Sequence, residues 1–362
     1  YLLGIDIGTS ACKVAVFDRN GKVLAAASGD YPVYYPHEGW AEQNPEEWWD
    51  AVCRATKETI QKADITVDEI AGIGIDGQSW SAIPIDREGN VLVNTPIWMD
   101  TRAQSICDRL NQEIGQEEIF EVAGNSLQPS YSTAKILWYK ENLPEVYAKI
   151  YKILQSNSYI AFKLTGAVTQ DVSQGYGLHC FNMKKGCWDE KMCKRLGIPM
   201  EFLPEICDCD HVVGTVTGKA AAECGLVEGT PVVAGGLDAA CGTLGAGVIH
   251  SGETQEQGGQ AGGMSICTEE YKADPRLILS YHVVPGKWLL QGGTTGGGGV
   301  MRWFEREFAD YERMMKEQTG VSSLNQLNKI AEKVGPGCDG MVFLPYMSGE
   351  RSPIWNPYAK GV

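Results

Sequence analysis

The chain opens with an alternation that only extended backbone can use. Leu3, Ile5 and Ile7 are apolar at every second position, Gly8-Thr9-Ser10 interrupts them, and Val14, Val16 and Phe17 follow. A period of two sends successive side chains to opposite faces of a strand. The segment therefore reads as two strands joined by a tight glycine turn. Asn20-Gly21 is a second hairpin signal, and residues 23–27 form a third strand. A chain that begins as a β-meander does not begin as a βαβ unit, and this narrows the folds open to it.

Composition sets the outer bounds. The length of 362 residues exceeds one ordinary core, so two domains are expected. Glycine numbers 43, above the ordinary usage of about 7% and without a collagen period. The formal net charge is -15. A general nucleic-acid binder needs a basic face to displace phosphate counterions, so that class is excluded. A phosphate ligand is not, because backbone N–H groups can hold one locally. No stretch of eighteen apolar residues exists to span a membrane, and YLLGIDIGTS lacks the layout of a signal peptide. The twelve cysteines contain no CxxC pair, Cys207 and Cys209 stand too close for a zinc knuckle, and the five histidines are scattered. The thiols read as reduced and mostly buried, in a cytoplasmic protein.

Further along, the spacing of Trp48, Trp49, Val52, Ala55, Thr56 and Ile60 predicts a helix over 45–63, with Pro45 and two glutamates in its first turn. Residues 70–75 read as a buried strand, and 104–114 and 134–141 as helices. Residues 151–172 read as a strand edge, helix and turn, 189–196 as a short helix, and 232–234 as a strand. A second meander starts near Glu253, with strands over 253–268 and 278–291. Helices follow over 299–316 and 324–334. The return of strands around a glycine turn puts a domain boundary near 249–252.

Several segments carry possible chemistry. Asp6-Ile7-Gly8-Thr9-Ser10-Ala11-Cys12-Lys13 combines a glycine turn, two hydroxyls and a cation, which suits phosphate oxygens. Asp6 could hold Mg²⁺ directly or through water. An ordinary polar hairpin would look the same. Gly72 to Gly77 matches GxGxxG, but no helix opens at Gly77 to receive a pyrophosphate, so a nicotinamide oxidoreductase ranks last. Gly214 to Lys219 is one residue short of a Walker loop. Gly235-Gly236-Leu237-Asp238 follows a strand. Its carboxylate can serve as a helix cap, as a base for a substrate hydroxyl, or as both. The runs Gly258-Gly259-Gln260 and Gly292 to Gly299 could admit a nucleotide or simply form loops. Trp98, Asp100 and Arg102 suit a sugar, or equally a core tryptophan beside a surface ion pair.

Together these segments resemble the FGGY carbohydrate kinase family, most closely its xylulokinase branch. The residues that carry this are GIDIGTSACKVAVFD at the start, Glu38 to Trp49, Ser130 to Trp138, Val233 to Asp238, and Leu344 to Pro353. The resemblance implies an α/β, actin-like (ribonuclease H-like) ATPase fold with two domains flanking a cleft. Residues 1–249 would be the N-terminal domain, holding the sugar and the catalytic aspartate. Residues 250–362 would be the first part of a C-terminal, nucleotide-side domain. Relatives continue past this point into a glycine-rich adenosine motif, so the second domain is expected to be incomplete and to bind ATP poorly by itself.

The resemblance further implies Asp238 as general base and sugar contact, and Asp6 as the Mg²⁺-associated acid. Gly8, Thr9, Ser10, Lys13, Gly258, Gly259, Gln260 and Gly296 would face ATP. Gln78, Ser79, Trp80, Trp98 and Asp100 would line the sugar pocket. Three positions depart from the pattern. Ser79-Trp80 replaces a usual Met-His, Ala239 replaces an Asn, and Gly258-Gly259-Gln260 replaces a Gly-Thr motif. The expected activity is ATP-dependent phosphorylation of a small sugar, a ketopentose such as xylulose. The alternatives are another polyol or sugar acid as acceptor, or a non-catalytic sugar-binding regulator. The expected partners are the sugar and ATP, not nucleic acid or membrane, and a homodimer is an allowed assembly.

Overall fold

The computed structural model describes every residue except 259, 260, 348 and 357. It divides into two compact units. The first comprises Tyr1–Ser251, Cys267–Pro275 and Leu279–Leu289, and the second Gly252–Ile266, Arg276–Ile278 and Leu290–Val362.

The opening alternation forms β1 (Leu2–Ile7), β2 (Ala11–Phe17) and β3 (Val23–Asp30), an antiparallel meander. β4 (Gly72–Gly77) then pairs parallel to β1. β5 (Val212–Thr215) and β6 (Pro231–Val233) extend that edge, and the two-residue β7 (Gly236–Leu237) also pairs with β4. The sheet order is β5-β6-β4-β1-β2-β3. The meander continued by parallel crossovers is the mixed α/β sheet that the opening motif leads to.

One face of this sheet is the core. Leu3, Ile5, Ile7, Cys12, Val14, Val16, Ile73 and Ile75 are all buried, each at alternate positions of its strand. They pack against α1 (Pro45–Ala63). Its start is specified locally: Asn44 caps it by accepting from Glu46 N, Pro45 needs no donor partner, and Glu46 and Glu47 favour the positive end. It stops at Asp64, which turns into the left-handed region at φ 52°. Trp48, Val52, Ala55, Thr56 and Thr59 form its buried stripe.

The helix expected over 104–114 is two pieces, and a further helix follows it. α2 (Gln104–Leu110) runs into a wide π turn over Asn111–Gly115 and then into α3 (Gln116–Ala123). Gly115 lies at φ 99°, which an ordinary residue resists, so regular helix cannot cross it. Next come α4 (Ser132–Asn142), α5 (Ser156–Thr165), and α6 (Glu190–Leu196), which is capped by Asp189. α7 (Asp238–Gly245) follows β7 directly.

In the second unit, β8 (Thr254–Gly258) pairs with β9, whose residues run Gly262–Thr268. The helix expected over 299–316 breaks into α8 (Gly298–Phe308) and α9 (Asp310–Thr319). Buried Ala309 leaves the helical region between them, and Asp310 then opens α9 as a favourable first-turn acid. α10 (Ser323–Ala331) is capped by Ser322. All twelve cysteines are free thiols, eight of them buried. Among the described residues no helix is long and apolar enough to cross a membrane.

Trp48 is 0% exposed at the centre of the α1–sheet packing. Trp48→Ala is expected to cost about 3–5 kcal/mol, read as a lowered midpoint in urea with little change in slope.

Candidate active site

Strand register brings the acids together. Lys13 lies opposite Asp6 across β1–β2, Asp6 lies opposite Asp76 across β1–β4, and Asp76 lies opposite Gly236 across β4–β7. Residues directly opposite one another share a sheet face. This row therefore stands on the face away from α1, and Asp238 follows two residues beyond Gly236 at the head of α7. Lys13 Nζ reaches Asp6 Oδ2 at 2.9 Å. A cavity of about 640 Å³ opens over this face, lined by Asp6, Lys13, Asp76, Gly235, Cys241 and Leu244 among others.

The acids differ in charge state. Burial pushes Asp238 up to about 7, with the Asp6 charge adding to the rise, while a bond from Ala239 N and the Lys13 charge oppose it. Burial, then the charges of Asp6 and Asp238, push Asp76 up to about 9, and Asp76 shares a hydrogen bond with Asp6. At neutral pH Asp76 holds a proton and Asp238 is poised between its two forms. The sequence reading passed over Asp76 as part of a chance GxGxxG match. A signal was available, since Gly4-Ile5-Asp6 and Gly74-Ile75-Asp76 are the same tripeptide on two strands. Only their pairing in register shows what that repeat means.

Gly235 makes the approach of Asp238 possible. It sits at φ 72°, and a Cβ there would come 1.7 Å from the Ile75 carbonyl oxygen.

The Gly8-Thr9-Ser10 turn is pinned from behind. Tyr31 Oη donates to Gly8 O at 2.7 Å, Gln43 Nε2 donates to Thr9 O at 2.9 Å, and Trp98 Nε1 donates to Thr9 Oγ1 at 2.9 Å. With its carbonyls turned inward, the N–H side of the turn is the side available to a ligand.

The segment after β4 is also built rather than loose. Gln78 is buried, and its Nε2 donates to Gln43 Oε1 at 2.8 Å. Ser79 Oγ accepts from Tyr176 Oη at 3.3 Å. Trp80 is held at φ 63°, an unusual place for a bulky residue that costs about 1–3 kcal/mol. Its ring stacks on Tyr131 at 4.2 Å and meets Tyr176 edge-on at 5.8 Å. Gln78 Oε1, Trp80 Nε1, Ser81 Oγ and Gln174 Oε1 are buried without partners. Each such group costs about 1–3 kcal/mol, so their concentration in one place points to a polar ligand.

Asp100 is wholly enclosed. Its Oδ2 accepts from Ala41 N at 2.7 Å, and both oxygens accept from Arg102. Arg102 also bonds Glu42 and lies over the Trp40 ring at 3.9 Å. The Asp100–Arg102 pair is thus a buried brace beside partly exposed Trp98, neither a surface pair nor a group at a pocket mouth. In the second unit, Gly258 ends β8 with open space around it, and Gly296 closes on the Pro345 carbonyl. Gly259 and Gln260 lie outside the described residues.

A sheet of this order, with carboxylates at adjoining strand ends beside a glycine turn, defines the actin-like class of two-domain ATPase folds and its phosphotransferases. Residues 1–245 match the N-terminal domain of the FGGY family of carbohydrate kinases, and residues 262–362 match its C-terminal domain. The chain belongs to the FGGY family of carbohydrate kinases, enzymes that transfer phosphate to an alcohol group. It is 32% identical to the xylulose kinase of Bacillus subtilis (strain 168) and 31% identical to the gluconokinase of the same organism. Each alignment covers 100% of this chain and 70% of the relative. Among solved structures, the xylulose kinase from Rhodospirillum rubrum matches with a TM-score of 0.89 at 29% identity, over 100% of this chain and 72% of that one. The gluconate kinase from Lactobacillus acidophilus matches with a TM-score of 0.89 at 28% identity, over 100% and 71%.

Gly235→Ala would incur the positive-φ penalty and overpack β4 together, about 2–5 kcal/mol. The expected outcome is loss of soluble protein or a sharp fall in Tm, measured against the tolerated Gly245→Ala, where nothing lies within 4 Å of the added carbon.

Proposed function

We propose that this protein transfers the γ-phosphate of ATP to a hydroxyl of a small uncharged sugar, a ketopentose of the xylulose kind. The observation that carries this is Asp238, a half-buried carboxylate poised near neutrality at the head of α7 and beside the acid row of β1 and β4. Asp238 accepts the proton of the attacking hydroxyl as that oxygen displaces ADP from the γ-phosphorus. Gln78, Ser79, Trp80 and Trp98 hold the sugar, and Asp100 acts from behind through Ala41 and Arg102.

The turn Gly8-Thr9-Ser10 with Lys13 takes the phosphates. Gly258, Gly259, Gln260 and Gly296 belong to the nucleotide side. In this reading residues 1–249 hold the sugar and the base, and residues 250–362 begin the nucleotide domain. Asp6 suits Mg²⁺ that arrives with the nucleotide, since that ion is commonly held by one or two carboxylates plus phosphate oxygens and water. Among the described residues no three His, Cys, Asp or Glu side chains are grouped to hold a metal ion by themselves. When bound, the ion offsets charge on the β- and γ-oxygens.

An uncharged acceptor is favoured by the cations around the site, each already engaged. Lys13 pairs with Asp6, Arg102 pairs with Asp100 and Glu42, and Lys135 donates to two carbonyls. Burial pulls His179 down to about 4, so it stays neutral. A sugar acid would meet the acid row, and like-charge contact costs several kcal/mol.

In a coupled ADP-release assay, D-xylulose is expected to exceed gluconate in kcat/KM by at least about 100-fold. Gluconate as the better acceptor would reverse the assignment. Asp238→Asn is expected to lower kcat by at least about 100-fold, at the low end of what one general base supplies, with sugar binding by calorimetry retained. Because the carboxylate form is the active one, kcat/KM should rise with pH through about 7 and then level off. A flat profile from pH 5.5 to 8.5 would remove Asp238 from the role of base.

A further inference from the structure

The segment Ser130 to Trp138 carried the family resemblance, yet no step above uses it. In the fold, Ser132, Lys135 and Tyr139 lie on one face of α4 at helical spacing. All three donate to consecutive carbonyls of the segment after β4. Lys135 Nζ bonds Trp80 O at 2.8 Å, Ser132 Oγ bonds Ser81 O at 2.9 Å, and Tyr139 Oη bonds Ala82 O at 2.9 Å. Lys135 goes further and bonds Ile97 O, also at 2.8 Å. Ile97 precedes Trp98, whose indole reaches the Thr9 hydroxyl. From the other side, Trp80 N donates to Gln155 Oε1 at 3.1 Å.

Lys135 is 0% exposed, its amine bonds two carbonyls, and it forms no ion pair among the described residues. An apolar side chain of similar volume would avoid desolvating an amine but would leave the carbonyls of Trp80 and Ile97 without this donor. What the lysine supplies is a branch point: several N–H donors on one atom, able to tie two separate segments at once. Burial pulls its amine down to about 7, with the Asp100 charge opposing that fall and Arg102 adding to it. Both the charged and the neutral amine keep at least two N–H donors, so the tie survives in either form.

We propose that Lys135 is a positioning residue for the acceptor site, tying the carbonyls of Trp80 and Ile97 so that Trp80 and Trp98 are held in register with each other and with the Thr9 turn. The proposal rests on the acceptor site assigned above. It explains why a bulky residue at position 80 tolerates a left-handed backbone, because its N–H and carbonyl are both held by buried side chains.

The test uses the whole chain carrying Lys135→Met, with the best wild-type acceptor of a panel containing D-xylulose, glycerol and gluconate. The expected result is a fall of at least about 30-fold in acceptor kcat/KM, mostly through KM, with KM for ATP changed less than about 3-fold. Lys135→Gln retains two N–H donors on one atom and should recover part of the loss. Ser132→Ala, a milder cut in the same tie, carries the test if Lys135→Met does not fold, with acceptor KM raised about 3–10-fold. Unchanged acceptor constants in a folded variant overturn the proposal, as does an equal loss for acceptor and ATP that tracks a lower Tm. A crystal structure of the variant decides the matter independently of turnover. Trp80 leaving φ near 63° supports the tie, and Trp80 and Trp98 unmoved refute it. No turnover of any acceptor by wild type would sink the kinase reading instead, leaving the crystallographic arm to judge Lys135.

Discussion

The structure depends on the parallel pairing of β1 with β4 in one register. That register sets Asp6 beside Asp76 and carries the row on to Lys13 and Gly236. Side chains alternate along a strand, so a slip of β4 by one residue would send Asp76 into the apolar face and bring Ile75 out. The burial of Leu3, Ile5, Ile7, Ile73 and Ile75 is therefore what places the acids. Hydrophobic packing on one face fixes the electrostatics of the other.

A second constraint acts at the same ends of these strands. Gly235 lets the chain pass within contact of the Ile75 carbonyl, and α7 starts at once with Asp238. A carboxylate brought this close to other acids and away from water resists ionisation, and both burial and like charge raise its pKa. The same crowding that costs folding energy yields a carboxyl group that titrates near neutrality. The polar atoms left unpaired around Gln78, Trp80, Ser81 and Gln174 have the same character, a local cost at a site and not in the frame.

The frame pays for this with a dense polar scaffold. Gln43, Gln155, Lys135, Ser132 and Tyr139 hold backbone groups of the loops that carry Thr9, Trp80 and Trp98. Arg102 is locked between Asp100 and Glu42 and stacked on Trp40. These side chains orient loops from behind, which leaves the loop fronts for the ligand. The relatives named xylulose kinase and gluconokinase share this chain's fold at similar identity. Overall likeness therefore does not choose the acceptor, and charge balance around the loops becomes the discriminating property.

Much of the fold was legible from local signals. The α1 boundaries followed from Asn44, Pro45 and the tryptophan stripe, and the opening meander from its period of two. Both are decided by neighbours in sequence. The expectation failed where a distant or conformational demand overruled a pattern. A π turn from Asn111 interrupted one helix, and buried Ala309 split another. The partnership of Asp76 had only the repeated Gly-Ile-Asp as a signal, and the tie at Lys135 had none. An aspartate in a glycine-rich strand and a lysine in a helix carry no sign of which strand or carbonyl they will meet. Taken alone, the sequence determined the strands, the helix starts, the glycine turns and the family motifs, because these are properties of short-range geometry. Tertiary structure alone decided which acids share a face, which of them holds a proton and which cations are already spent. Those depend on register and burial, which exist only once distant segments have packed.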